Sequence, residues 1–351
     1  MIKISKWVII SLMLELSVNS KSPAAINSAF KKIKDMIMTG AVARTTAIHV
    51  VLEPGYYREL IKYNLSNPLV IESAPGTKPE DCVIQADNCE AFNKGLENRA
   101  VFVLGPNVTN VSLKNFTIAN THSKTVMEGS TLADSAEALV WNNTTGTLFA
   151  QGMHIEGRQN TLCLKGFSWF KDCLITGDTD FIYGDLDTAL FEECEVNVRE
   201  DNRGDYPGYA VKSLAFANKP GFVFMNCRFT AEKRKKSSVY VYRTEGHGGA
   251  DKLKWWDSAA FINCFMSEVF DPEMAWDDDM ELELYPRGNV KTGIREYNTR
   301  VVGKGGKVEE ADTTKRNIRS YLLTDDDYFS NYASRYLILH DTPFAEISGE
   351  Q

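Results

Sequence analysis

The sequence predicts an all-β solenoid, a stack of short coils wound around one shared core. The first observation behind this is a repeat: Phe170-Lys-Asp-Cys173, Phe191-Glu-Glu-Cys194, Phe224-Met-Asn-Cys227 and Phe261-Ile-Asn-Cys264 each lead into a strand-like pair. Leu113-Lys-Asn-Phe116 is a looser copy. The second is spacing. The first two copies lie 21 residues apart and the later ones 33 and 37, as coils of about twenty residues with inserted loops require. The third is the run of short strands with Asn-rich turns that fills the chain after a single early helix. A leucine-rich repeat needs Leu at short fixed spacing, and a propeller needs longer, more regular units. Neither pattern is present. Chance recurrence of Phe and Cys in a β-sandwich is the remaining alternative.

The elements follow in order. Lys3 and Lys6 precede an apolar run from Trp7 to Leu14, which reads as a short signal peptide or as the lead into a first strand at Leu14–Val18. Residues 1–13 are therefore set apart, and 14–351 are expected to form one domain. Ser22 is placed to cap a helix with Pro23 in its first turn, and Ile26, Ala29, Phe30, Ile33 and Ile37 share one face. Strands are predicted at Ala47–Leu52, Leu69–Ser73, Cys82–Gln85, Ala100–Leu104 and Val111–Ile118. The basic run Lys233–Lys236 reads as a solvated loop. Residues 313–351 look less strand-like and are expected to pack as helices and turns along the solenoid.

Bulk properties exclude some classes. The 351 residues are 43% hydrophobic and 25% charged, with a net charge of −8. Phosphate contact wants a basic face, so nucleic acid is not an expected partner. The N-terminal apolar run is too short to span a bilayer, so no membrane partner is expected either. Seven cysteines without a CxxC pair argue against a zinc ribbon or a thioredoxin-type site. Their usage leans towards a cytoplasmic rather than a secreted setting, although sequons occur at Asn107-Val-Thr and Asn142-Asn-Thr. His122, His154 and His247 are scattered and read as structural. A monomer is expected.

Gly177-Asp-Thr-Asp180-Phe-Ile-Tyr-Gly184 resembles the signature of the pectin methylesterase family, Gly-Thr-Val-Asp-Phe-Ile-Phe-Gly. Gly157-Arg-Gln159-Asn160-Thr-Leu resembles the family's Gln-Asp-Thr/Ser-Leu element at the right distance upstream. Ala136-Glu137-Ala138-Leu139 resembles its Gln-Ala-Val-Ala-Leu, Gly55-Tyr-Tyr-Arg-Glu59 its Gly-x-Tyr-x-Glu turn, and Glu296-Tyr297-Asn298-Thr299 its Gly-Glu-Tyr-x-Asn stretch. The likeness runs in order from about residue 14 to 300. It implies a right-handed parallel β-helix and hydrolysis of methyl esters on polygalacturonate without a metal or other cofactor.

Ester hydrolysis needs a nucleophile, a proton donor for the leaving alcohol and a stabilised oxyanion. The resemblance implies Asp180 as nucleophile, Arg243 as the cation beside it and Gln159 as an oxyanion donor. The family's acid aspartate is replaced here by Asn160, and an amide cannot give and recover a proton at neutral pH. Glu137 falls where the family has an oxyanion-binding Gln. The expectation is that Glu137 takes over the acid–base role while Asn160 joins Gln159 as a donor. Asp178, two residues from Asp180, is the competing carboxylate and a candidate substrate contact together with Tyr183. The family's Trp beside the arginine is replaced by Glu245. Trp255, Trp256 and Trp276, with Tyr240 and Tyr242, are the candidates for stacking on sugar.

Three other readings stand beside the esterase. Asn160 suits a β-helix that only binds acidic glycans. The scaffold also suits another acyl hydrolase such as a thioesterase. Asp277–Asp279 and Asp325–Asp327 suggest a calcium-dependent lyase, which does not explain the 177–184 signature.

Overall fold

The chain winds into a right-handed parallel β-helix of three sheets. The computed structural model describes residues 13–22, 24–125, 131–216, 218–232, 237–243, 255–270, 276–277, 288–314, 316 and 320–345, with backbone alone at 255–256, 276–277 and 304. The first sheet has eleven strands, running from Met13–Val18 through Ala47–Leu52, Gly166–Lys171 and Leu186–Glu192 to Tyr321–Leu322. The second has eight, from Ile61–Tyr63 to Trp276–Asp277, and carries the candidate site. The third has ten, from Gly55–Tyr57 to Val308–Glu310, and only its last pairing is antiparallel.

The Phe-x-x-Cys repeat is a ladder in the core. Phe170, Phe191, Phe224 and Phe261 are in register on successive strands of the first sheet. Their rings stack at 4.8, 4.8 and 5.4 Å. Each following cysteine donates its thiol to the carbonyl of the phenylalanine one coil earlier: Cys194 to Phe170 at 3.5 Å, Cys227 to Phe191 at 3.3 Å and Cys264 to Phe224 at 3.4 Å. All seven cysteines are unpaired and buried. The residue before each cysteine turns the corner in the left-handed region, with φ of 52° at Asp172, 56° at Glu193, 56° at Asn226 and 52° at Asn263. Asn and Asp tolerate that conformation best after Gly, so the repeat is a corner signal as much as a core signal. The same corner at Asn115, φ 57°, divides the strand expected at Val111–Ile118 into Asn110–Lys114 and Thr117–Asn120.

The early helix spans Ala25–Met38 and buries Ile26, Phe30 and Ile33 against the first coils. Its cap differs from the expectation on Ser22. Ala24 stands at the N-cap with φ 52° and no side-chain bond, and Pro23 lies outside the described residues. The carboxylate of Glu59 instead accepts the backbone N–H groups of Ile26 at 3.0 Å and Asn27 at 2.9 Å. A carboxylate at a helix N-terminus satisfies orphan donors and meets the positive end of the dipole. The Gly55–Glu59 turn therefore fastens the helix to the end of the solenoid. At the other end of the sequence, Asp325–Asn331 and Arg335–Leu339 are helical, and Ile338, Leu339 and Phe344 cover Trp169, Leu190 and Val223 on the outer face of the first sheet.

Asp325–Asp327 opens a helix: Asp327 and Thr324 cap each other. The Lys233–Lys236 run, His247 and Asp278–Asp279 lie outside the described residues, as do the side chains of Trp276 and Asp277. His122 bonds Asp87 at 3.0 Å and Asp134 at 3.4 Å.

Candidate active site

Asp180 lies on the strand Thr179–Gly184 of the second sheet. Thr179 pairs with Tyr209 and Ile182 with Val211, so Asp180 and Phe181 together oppose Ala210 alone. Such a bulge re-aims side chains. Asp180 takes φ 47°, and Phe181 enters the core. The glycines of the 177–184 segment serve this geometry. A Cβ on Gly177 would lie 2.2 Å from the Phe181 Cβ, and one on Gly184, at φ 150°, would lie 1.8 Å from the Leu164 carbonyl oxygen.

The Asp180 side chain is 7% exposed. Its Oδ2 pairs with the Arg243 guanidinium and lies 3.4 Å from Lys212 Nζ. Its Oδ1 is buried and has no hydrogen-bond partner among the described residues. Arg243 is steadied by Tyr209, whose ring centre is 4.5 Å below the guanidinium, and Tyr209 stacks on Tyr240 at 5.4 Å. The structure thus brings Asp180 and Arg243 together, and adds Lys212 and Tyr209, which no sequence motif marked.

Gln159 and Asn160 sit one coil earlier, against the same strand. Gln159 bridges to Thr179, and the Asn160 N–H donates to the Thr179 carbonyl at 3.1 Å. Gln159 Nε2 donates to the Thr131 carbonyl at 2.8 Å and reaches Ser135 Oγ at 3.4 Å. Ser135 Oγ donates to Asn160 Oδ1 at 3.1 Å. That bond fixes the amide so that its NH2 group points away from Ser135. Ser135, also missed by motif reading, orders both amides.

Glu137 has different partners from those expected of an acid–base group beside Asp180. It is fully buried, and Arg99 grips both its oxygens at 2.7 and 2.6 Å. Tyr183 donates its hydroxyl to Glu137 Oε1 at 2.5 Å, and Arg99 also binds Glu90 at 2.9 Å. Burial works against the Arg99 charge, but Glu137 and Glu90 outweigh it and hold that charge firmly. Burial pushes the Tyr183 phenol well up, reinforced by Cys163 and Glu137, so it stays a donor. Glu137 and Tyr183 form a buried bolt between coils.

Asp178 is likewise fully buried. It pairs with Lys124, and Arg158 lies 3.4 Å away. Lys124, itself buried, donates to Thr179 Oγ1 at 2.8 Å and to Asp201 at 2.9 Å. Burial pushes the Asp201 carboxyl up, but Arg203 and Lys124 overcome it and hold it well below the carboxylate range. This cluster braces the strand behind Asp180, and a buried Asp178 is out of reach of a polymer. Tyr242 is buried with its hydroxyl on Asp257 at 2.7 Å, so it offers no stacking face. The backbones at 255–256 pair antiparallel with Ala215–Phe216; the stacking expected of the Trp255 and Trp256 side chains lies outside the described residues.

Comparisons with known proteins bear on this site. The Pectinesterase family profile matches residues 23–325. A probable pectinesterase/pectinesterase inhibitor from Arabidopsis thaliana is 21% identical over 295 residues, 81% of this chain and 47% of that protein. A pectinesterase from Olea europaea is 25% identical over 80% of this chain and 69% of its own length. The chain thus spans about half the length of the first of these relatives. Among solved structures, pectin methylesterase PemA from Erwinia chrysanthemi aligns with a TM-score of 0.64 at 20% identity, over 96% of this chain and 98% of that one. The carrot enzyme aligns at 0.63 with 16% identity, over 87% and 85%. With the family profile covering most of its length, the chain belongs to the pectinesterase family.

Proposed function

We propose that this protein hydrolyses methyl esters of a pectin-type acidic polysaccharide, releasing methanol, with Asp180 as the attacking carboxylate. The observation that carries the reading is the Asp180 geometry: one oxygen held by Arg243 and Lys212, the other without a partner, on a strand bulged at that residue. A carboxylate so placed keeps one oxygen for attack on an ester carbonyl. The Asn160 NH2 group and the second Gln159 proton, with only its 3.4 Å contact to Ser135, are the donors for the oxyanion. Lys212 and Arg243 supply the local basic surface that a polyanion needs on a chain of net charge −8. A related pectin methylesterase has been solved in complex with a hexasaccharide, and the Tyr209–Tyr240 pair gives this chain an aromatic surface beside Asp180 for the same class of ligand.

Asn160 favours a second reading, a relative that binds acidic glycans or cleaves another acyl ester. Methanol release from highly methylated pectin, with and without chelator, separates the two. Steady release indifferent to chelator is expected. No methanol from folded protein, with retained glycan binding, would leave the second reading.

A further inference from the structure

The esterase reading lacks a proton donor. Asn160 cannot supply one. Glu137 is committed to Arg99 and Tyr183, and Asp178 to Lys124 and Arg158. Among the described residues, the two groups in ion-pair contact with Asp180 are Arg243 and Lys212. A guanidinium does not give up its proton in a protein, whereas an ammonium does.

We propose that Lys212 is the general acid and base of this site. The inference rests on the esterase reading and gives it the step that Asn160 removed. Lys212 lies on the strand Gly208–Ser213, paired with Tyr183 and next to Arg243, so it projects on the same outer face as the site. Its side chain is 19% exposed and its Nζ is 3.4 Å from Asp180 Oδ2. It also acts on Asp257, where its charge partly offsets the burial that raises that carboxyl. Among the described residues, the charged groups facing it include Asp180, Arg243 and Asp257.

The sequence of bonds balances. Asp180 Oδ1 attacks the ester carbonyl carbon, and the oxyanion forms against the amides. The Lys212 ammonium passes one proton to the methoxy oxygen as the carbon–oxygen bond breaks, and methanol leaves. The acyl group remains on Asp180 as an anhydride, with Lys212 a neutral amine. That amine takes a proton from water as the water oxygen attacks the substrate carbonyl carbon. The bond to Asp180 then breaks, which restores its carboxylate beside a recharged Lys212. The product acid loses its proton to solvent.

The test compares wild type, Lys212→Met and Lys212→Arg on methyl and trifluoroethyl esters of an oligogalacturonate. A trifluoroethoxide leaves with little need of a proton. Lys212→Met is expected to lose roughly 10²–10⁴-fold in the single-turnover rate of alcohol release from the methyl ester, with substrate binding little changed and a much smaller loss on the trifluoroethyl ester, because hydrolysis of the shared acyl-enzyme lies after the step measured. Lys212→Arg keeps the charge and should fail on the methyl ester just as badly. Equal losses on both esters, methyl-ester activity restored by arginine, or a change confined to substrate binding each overturn the proposal while leaving the esterase reading intact. If folded wild type turns over neither ester, the esterase reading falls and this inference with it.

Discussion

Replacing Glu137 by glutamine separates a structural carboxylate from a catalytic one. The amide keeps the shape, and the Tyr183 hydroxyl still finds an oxygen. Arg99 keeps that oxygen at 2.6 Å but loses the bond at 2.7 Å, meets an NH2 group in its place and loses the opposing charge, in a setting where it is 8% exposed. Removing one partner of a buried pair costs about 3–5 kcal/mol. Arg99 retains Glu90 at 2.9 Å, which places this case near the lower end, about 3 kcal/mol. The loss belongs to folding, because Glu137 is committed to Arg99 and Tyr183 across the coils. Guanidinium unfolding followed by circular dichroism should show an earlier midpoint, compared as a midpoint because stacked coils need not unfold in one step. Turnover per folded molecule should fall far less than the roughly 10²–10⁴-fold that loss of an acid–base group brings. A variant that is fully stable yet inactive would refute this reasoning and return Glu137 to the chemistry.

Two further outcomes follow from particular residues. Asn226→Ala forces alanine into φ 56° at a core corner and should cost about 1–2 kcal/mol by denaturant melts, while Asn226→Gly should cost less. Asp257 is the second: burial raises its carboxyl from 3.8 to about 7, against the pull of its Tyr242 bond and Lys212. The folded state therefore keeps a proton that the unfolded state has released, and stability present below about pH 4 is lost as pH rises through about 7. The stability of Asp257→Asn relative to wild type should rise over that window by about 4 kcal/mol, at about 1.4 kcal/mol per unit. A flat difference would contradict the assignment.

The solenoid was legible because its core repeats on itself. The spacing of Phe170, Phe191, Phe224 and Phe261 reports the coil lengths directly, and in three of the four copies an Asn or Asp before cysteine marks a corner that few other residues tolerate, Glu193 being the exception. The split at Asn115 was hidden because strand propensity runs on through a one-residue corner. The site was legible only where a motif carried it, at Asp180 and its flanking glycines. Its charge partners come from distant coils: Arg243 is 63 residues from Asp180, Lys124 is 77 from Asp201 and Arg99 is 38 from Glu137. No local period predicts such pairings. Lys212 reads as one more outward residue of a strand until the register sets it beside Asp180. Glu137 and Asp178 read as available carboxylates until the buried cations that hold them are seen.

The most direct test of the account is the initial rate of methanol release from highly methylated pectin by wild type and by Asp180→Ala, both shown to be folded. The account predicts release by wild type and a loss on the order of 10⁴-fold in the variant, the scale seen when a covalent nucleophile is removed. A variant that releases methanol within about tenfold of wild type, only ~1.4 kcal/mol of barrier, would contradict Asp180 as the attacking group.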